Sequence, residues 1–282
     1  MNIQPSIPSL AVWVVVLMLS SLSACSGASL DPADPDASSS GTEPVGSVYA
    51  DLQVEYLAGG ERTYRSMYDE VGRACRELGM GTQLPDGYVE KLGTSRLQVW
   101  SAHDRVAIRN EVYTYIAGPV EEGRHCDFEP ATKGMHLYRD AEETVTWDLA
   151  TGVESKAPPR PEYEWKRTAV SAPPATNPGA RKRSVNGVPC IEYELLAGAG
   201  GRYCIWSGGG AYGFDPQGSA VSNAMGSEAN MLVGLVVDQS PGDDGNGQRV
   251  TLSALVLNDD APFATMRPHA PTLGQGAGGS GR

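Results

Sequence analysis

The chain of 282 residues carries 34 Asp plus Glu against 22 Lys plus Arg, a net charge of −12, with an isoelectric point near 4.8. That balance argues against nucleic acid as a partner and against electrostatic docking on anionic lipid, since both need a local excess of positive charge. Thirty-four Gly and 20 Pro, with few long helical patterns, point to strands joined by turns.

From the N-terminus, the first 24 residues carry no charged side chain, and LAVWVVVLML (residues 10–19) is an unbroken apolar run. A helix that spans a bilayer needs about 20 apolar residues, so this run suits the core of a signal peptide. It leads into LSSLSACSG, residues 19–27. Within it, Leu22-Ser23-Ala24-Cys25 resembles the lipobox of bacterial lipoproteins. The resemblance implies cleavage of residues 1–24, a diacylglyceryl group on the Cys25 thiol and a third acyl chain on the new α-amine. Two or more acyl chains anchor a protein stably, where one does so only marginally. By the same resemblance, Ser26 rather than Asp after the cysteine implies the outer membrane, on its periplasmic face. The other reading is an ordinary export signal with an incidental Cys25, hence a soluble periplasmic or secreted protein.

Residues 25–48 are rich in Ser, Pro, Asp and Gly and have almost nothing to bury, which describes a disordered acidic tether. DPADPD within it places Pro between the acidic residues, which blocks the turn geometry of a calcium loop. A β-rich domain is expected over residues 49–269 and a flexible tail over 270–282.

In the domain, ADLQVEYL alternates with Leu52, Val54 and Tyr56 on one face, a strand pattern. ERTYRSMYDEVGRACRELG places Tyr64, Met67, Tyr68, Val71, Ala74, Cys75 and Leu78 at helical spacing, with Gly79 suited to the position after the helix. A strand pair around Gly59-Gly60 competes with that helix, and MGTQLPDG reads as loop. Hairpins then follow one another. SRLQVWSAHDRVAIRNEVYTYI turns at His103-Asp104, and GMHLYRDAEETVTWDLATG turns near Asp140 and ends in a Thr-Gly turn. A lone strand EYEWKRTAV precedes the Pro-rich, basic loop SAPPATNPGARKRS. VPCIEYELL then pairs with RYCIW, and ANMLVGLVVDQ with RVTLSALVLN across SPGDDGNG. The sum is nine or ten strands, mostly antiparallel, with sequential neighbours paired.

Four cysteines remain after Cys25, and an even number in an exported chain reads as disulfides with three possible pairings. Cys75–Cys126 with Cys190–Cys204 is favoured, because CIEYELLAGAGGRYC describes a β-hairpin closed by its own ends. A metal site is disfavoured: no CxxC spacing exists and the chain has four His.

The segments RLQVWSAHDRVAIRN, LYRDAEETVTWDLATG, VNGVPCIEYEL with YCIWSGG, and RVTLSALVLNDDAPFATMRPH, in that order, resemble the LolA/LppX-type lipoprotein family. The shared patterns span about Gln98 to Pro268. The resemblance implies a strongly curved antiparallel sheet, an incomplete barrel with one or two helices, wrapped around an apolar cavity. It also implies holding acyl chains, or sensing and scaffolding at the envelope, rather than catalysis.

Motifs of catalysis do not stand out. A serine-hydrolase elbow needs GxSxG, and WSGGGAYG has its Ser ahead of the glycines. GGGAYGFDP lacks the Lys of a phosphate cradle and reads as a tight turn. His103, His125, His136 and His269 pair by spacing with no other candidate ligand, and a disulfide at Cys126 would remove the thiolate beside His125. Glu121-Glu122, Glu142-Glu143, Asp243-Asp244 and Asp259-Asp260 fall at turns, and Trp100, Trp147, Trp165 and Trp206 read as core. Arg181-Lys182-Arg183, the one basic cluster, reads as a solvated loop that offers a contact for phosphate or a partner. The sequence thus points to a lipid-anchored, non-enzymatic envelope protein that binds a lipid or other apolar ligand on a curved sheet, with no cofactor or metal. An envelope assembly factor without a small ligand is the alternative, and a hydrolase the third reading.

Overall fold

Every second residue of VYADLQVEYLA is buried from Val48 to Val54, and this alternation makes β1 (Val48–Ala58) a strand with one face on a core. The computed structural model describes residues 45–119, 122–158, 180–194, 201–214 and 234–267, all within one unit, Thr42–Arg282. Val45 is buried and β1 starts at Val48, so the last residues of the stretch expected to be tether belong to the fold. Gly59 and Gly60, both at positive φ, reverse the chain so that β2 (Glu61–Arg62) pairs with Leu57 and Ala58. The helix α1 (Thr63–Glu77) follows at once, so the strand pair and the helix read as competitors from the sequence coexist. Gly79 at φ +66° ends α1 in a Schellman motif: Met80 N–H donates to Cys75 O and Gly79 N–H to Arg76 O.

Asp86–Val89 forms a one-turn helix, α2, which takes in the last two residues of the expected MGTQLPDG loop. The remaining strands are β3 (Thr94–Ser101), β4 (Val106–Ala117), β5 (Phe128–Arg139), β6 (Thr144–Asp148), β7 (Glu154–Ala157), β8 (Arg181–Val185), β9 (Val188–Glu194), β10 (Arg202–Trp206), β11 (Val236–Ser240) and β12 (Gly247–Leu257). Among the described residues all join one 12-stranded antiparallel sheet in the order β7-β6-β5-β4-β3-β1-β12-β11-β10-β9-β8, with β2 on the end of β1. Three short strands, β2, β7 and β8, were not expected from the sequence. The lone strand expected at EYEWKRTAV lies outside the described residues. Bulges that leave Ser253 of β12 and Val237 of β11 unmatched bend the strands they interrupt. Among the described residues the end strands β7 and β8 do not pair with each other, so the curved sheet is not closed.

Residues opposed in a ladder share a face, which sorts the middle of the sheet into two surfaces. On the first, Val48, Ala50, Leu52 and Val54 lie opposite Ser101, Val99, Leu97 and Ser95, and Val99 opposite Ile108. Trp206, Phe214, Leu235, Val250, Leu252 and the Cys190–Cys204 bridge join these residues in the main core. The second face is covered at both ends. α1 closes one end, with Tyr68, Leu84, Leu92 and Phe128 buried around the Cys75–Cys126 bridge. A 3-10 helix, Ala261–Thr265, closes the other, where Phe263 and Met266 meet Trp100, Tyr138 and Val145. Between the two covers the second face is polar.

Candidate functional site

Several residues singled out from the sequence turn out to be structural. Both disulfides pair as expected, Cys75 with Cys126 and Cys190 with Cys204, at Cα separations of 5.6 and 5.5 Å. Arg181, Lys182 and Arg183 lie on the end strand β8 and not in a loop. All three are exposed, and Arg183 donates to Glu192 (2.8 Å) and Asp238 (3.0 Å). Cys25, Glu121, Trp165 and His269 lie outside the described residues.

Most of the remaining candidates are turn or core residues, and His125 lies exposed beside the buried Cys126. His103 sits in the β3–β4 turn, and GGAY forms a 3-10 helix, Gly209–Tyr212. Trp100 and Trp206 are buried in the core, while Trp147 is half-buried on the polar face of β6. Asp148, Asp244 and Asp259 accept backbone N–H groups two or three residues on, the Asx-turn role. Asp140 does the same: burial pushes its carboxyl up, but the N–H groups of Glu143 and Glu142 outweigh this and hold it below the usual range. Among the described residues no group of three or more His, Cys, Asp or Glu is placed to hold a metal ion.

His136 is buried on β5 with its ring stacked on Trp100 at 5.5 Å, and its Nε2 lies 2.8 Å from Met266 O. Desolvation is the main cause that pushes this imidazole down to about 4. A neutral ring there donates Nε2–H to the carbonyl and ties the final 3-10 helix to the sheet.

What the residues do bring together is a polar trough across the second face. Its rows follow the ladder register. Asp51 lies opposite Gln98, Gln98 opposite Arg109, and Arg109 opposite His136; in the next row Gln53, Arg96 and Glu111 stand side by side. A relay of hydrogen bonds fixes the floor. Gln98 Nε2 donates to Tyr49 Oη (2.7 Å), Tyr49 Oη donates to Asp51 Oδ2 (3.2 Å), and Arg96 grips Asp51 through Nε (3.0 Å) and Nη2 (2.5 Å). The bond to Asp51 is also the main reason the Arg96 guanidinium is held more firmly protonated than usual.

Two openings flank this floor. A cavity of about 260 Å3 is lined by Asp51, Gln53, Lys91, Arg96, Tyr113 and Ser253, among others. A groove of about 780 Å3 runs between α1, the β1–β2 turn and β12, walled by charged residues that pair across it. Arg65 there bridges Asp69 and Glu90, and Arg249 meets Glu55 at 2.6 Å.

α1 carries a third surface. Tyr64, Tyr68 and Cys75 face the core, as their spacing suggested, but Met67, Val71, Ala74 and Leu78 form a separate exposed stripe, with Leu78 68% exposed. The seven apolar positions read as one face are two. Sequence reasoning missed the trough altogether. Its residues are the polar half of ordinary strand alternation, which has the same pattern whether it meets bulk water or forms a site.

Comparison with protein families, with curated proteins and with solved structures gives no match.

Proposed function

We propose that this is a lipid-anchored, non-enzymatic protein of the bacterial envelope, held through Cys25 at the outer membrane and facing the periplasm. Its work is binding, and a lipid or other apolar ligand on the curved sheet is the first reading. The observation that carries it is the sheet itself, 12 antiparallel strands with one aliphatic face and two ends, β7 and β8, that do not seal against each other. Trp206, Phe214 and Leu235 fill the aliphatic face in this conformation. An acyl chain would therefore enter by displacing them, as the sheet opens from an unsealed end. Two disulfides fit an oxidising compartment.

Two measurements test the reading. Radiolabelled palmitate is expected to enter the chain in a bacterial host and to be lost in Cys25→Ser; no incorporation, or equal incorporation into both, overturns the anchor. Native mass spectrometry of the full chain released from detergent is expected to retain a lipid adduct. A bare protein mass that co-purifies with a stoichiometric protein selects the second reading, an envelope assembly factor. That reading is favoured by the exposed stripe Met67, Val71 and Leu78, since contiguous exposed apolar side chains mark contact surfaces.

A further inference from the structure

The cavity of about 260 Å3 on the polar face has a composition that the lipid reading does not use. Three charged residues line it, Asp51, Lys91 and Arg96, and two of them match each other, since Arg96 is held by Asp51. Lys91 is left over. Its Nζ meets no carboxylate among the described residues and sits 5.4 Å over the ring of Tyr113. The turn that carries Lys91 is fixed, because Thr94 donates both its N–H (3.0 Å) and its Oγ1–H (2.8 Å) to Lys91 O. The site therefore presents one positive charge from a rigid support.

Around that charge stand the mutually neutralised Arg96–Asp51 pair and several uncharged polar side chains. The relay from Gln98 through Tyr49 and Asp51 immobilises Arg96 through Nε and Nη2, so Nη1 is free of partners among the described residues. Gln53 is exposed on the floor, opposite Arg96 and Thr251. Ser253 is the extra residue of the β1–β12 bulge, so the ladder does not consume its backbone groups, and bulges recur beside binding sites. A guanidinium, a carboxylate, an amide and a hydroxyl within one small cavity match a ligand with several adjacent hydroxyls. Lys91 adds the preference for a single negative charge.

We infer that this cavity binds a small polyhydroxylated anion of the class of a hexuronic acid, at a site on the opposite face of the sheet from any apolar ligand. Its size lies just below the roughly 300 Å3 at which drug-sized pockets begin, which suits one sugar unit. The inference rests neither on the anchor nor on a lipid ligand.

Isothermal titration of the full chain, in a detergent without a sugar headgroup, tests it with glucuronate, glucose and inorganic phosphate as probes. Glucuronate is expected to bind saturably and at least about tenfold more tightly than glucose, the effect of one charge contact. Lys91→Met, a change at an exposed side chain, should bring glucuronate to the affinity of glucose, while Gln53→Ala weakens both sugars. Phosphate should fail to compete. The inference is overturned if neither sugar saturates, if phosphate displaces glucuronate as well as glucuronate itself does, or if Lys91→Met binds glucuronate unchanged with an unaltered unfolding midpoint.

Discussion

His136 shows what one side chain costs and contributes in this sheet. Its ring is 3% exposed, lies flat against Trp100 and bonds Met266 O, and the Arg109 guanidinium is the charge that further discourages a second proton. The folded protein holds it near 4, against 6.5 in an unfolded chain. Between these values the unfolded state binds the extra proton and the folded state does not. The stability tied to the neutral ring is therefore complete above about pH 6.5 and is lost as pH falls toward 4. The shift corresponds to about 3 kcal/mol. Urea unfolding at pH 7 and pH 4.5 should show a fall of about 2 to 3 kcal/mol beyond that of His136→Gln, which can still donate to Met266 O but does not titrate. Equal pH dependence in the two proteins would remove His136 as the sensor. The group to watch when the ring charges is the final 3-10 helix, which also rests on Trp100 Nε1 donating to Pro262 O at 2.9 Å.

At the scale of elements, the disulfides divide the work. Cys75–Cys126 fastens α1 to the segment that leads into β5 and spans 51 residues, whereas Cys190–Cys204 cross-links the adjacent strands β9 and β10 over 14. In the chain-entropy account, removing the first as Cys75→Ala/Cys126→Ala should cost about 4 kcal/mol, and Cys190→Ala/Cys204→Ala about 3. Denaturant unfolding with the slope fitted separately for each variant, since an uncrosslinked unfolded chain exposes more surface, would establish both values; a larger loss for the short bridge would mean that its place in the main core outweighs loop length. The short bridge was legible in the sequence because the hairpin that joins its ends is written locally, in CIEYELL and RYCIW. So were β1, α1 and the turns at His103 and Asp140, each set by neighbours in sequence. The second stripe on α1 was not, since burial of Tyr68 and exposure of Met67 depend on which side the sheet approaches. Nor was β8: its RKRSV has the charge of a loop, and only its ladder to β9 makes it a strand. Charged end strands resist pairing with other chains, a reason for Arg and Lys to stand there.

The order of strands is the property of the whole molecule that no local pattern announces. β1, the first strand, lies at the middle of the sheet between β3 and β12, the last. Its ladders carry ten partners to β12 and eight to β3, so the two halves of the chain meet on it. Val48, Ala50 and Leu52 at that seam are fully buried, and so is Val250 across from Val54. Toward the ends the sheet thins. β7 is four residues long and exposed throughout, and β8 is five residues long with four exposed. Local opening follows such differences, because an element with few buried apolar contacts unfolds without disturbing the rest. Hydrogen exchange should therefore rank the amides of β1, β3 and β12 slowest, at the free energy of global unfolding. Amides of β7 and β8 should exchange through low-energy local openings, insensitive to small amounts of denaturant. The Cys190–Cys204 bridge gives a further handle, since it ties β9 to β10 but leaves β8 outside the loop. Reducing it should speed exchange in β9 and β10 and leave β8 as it was. Protection of β8 equal to that of β1 would mean that its free edge is covered, and that the sheet has no end from which to open.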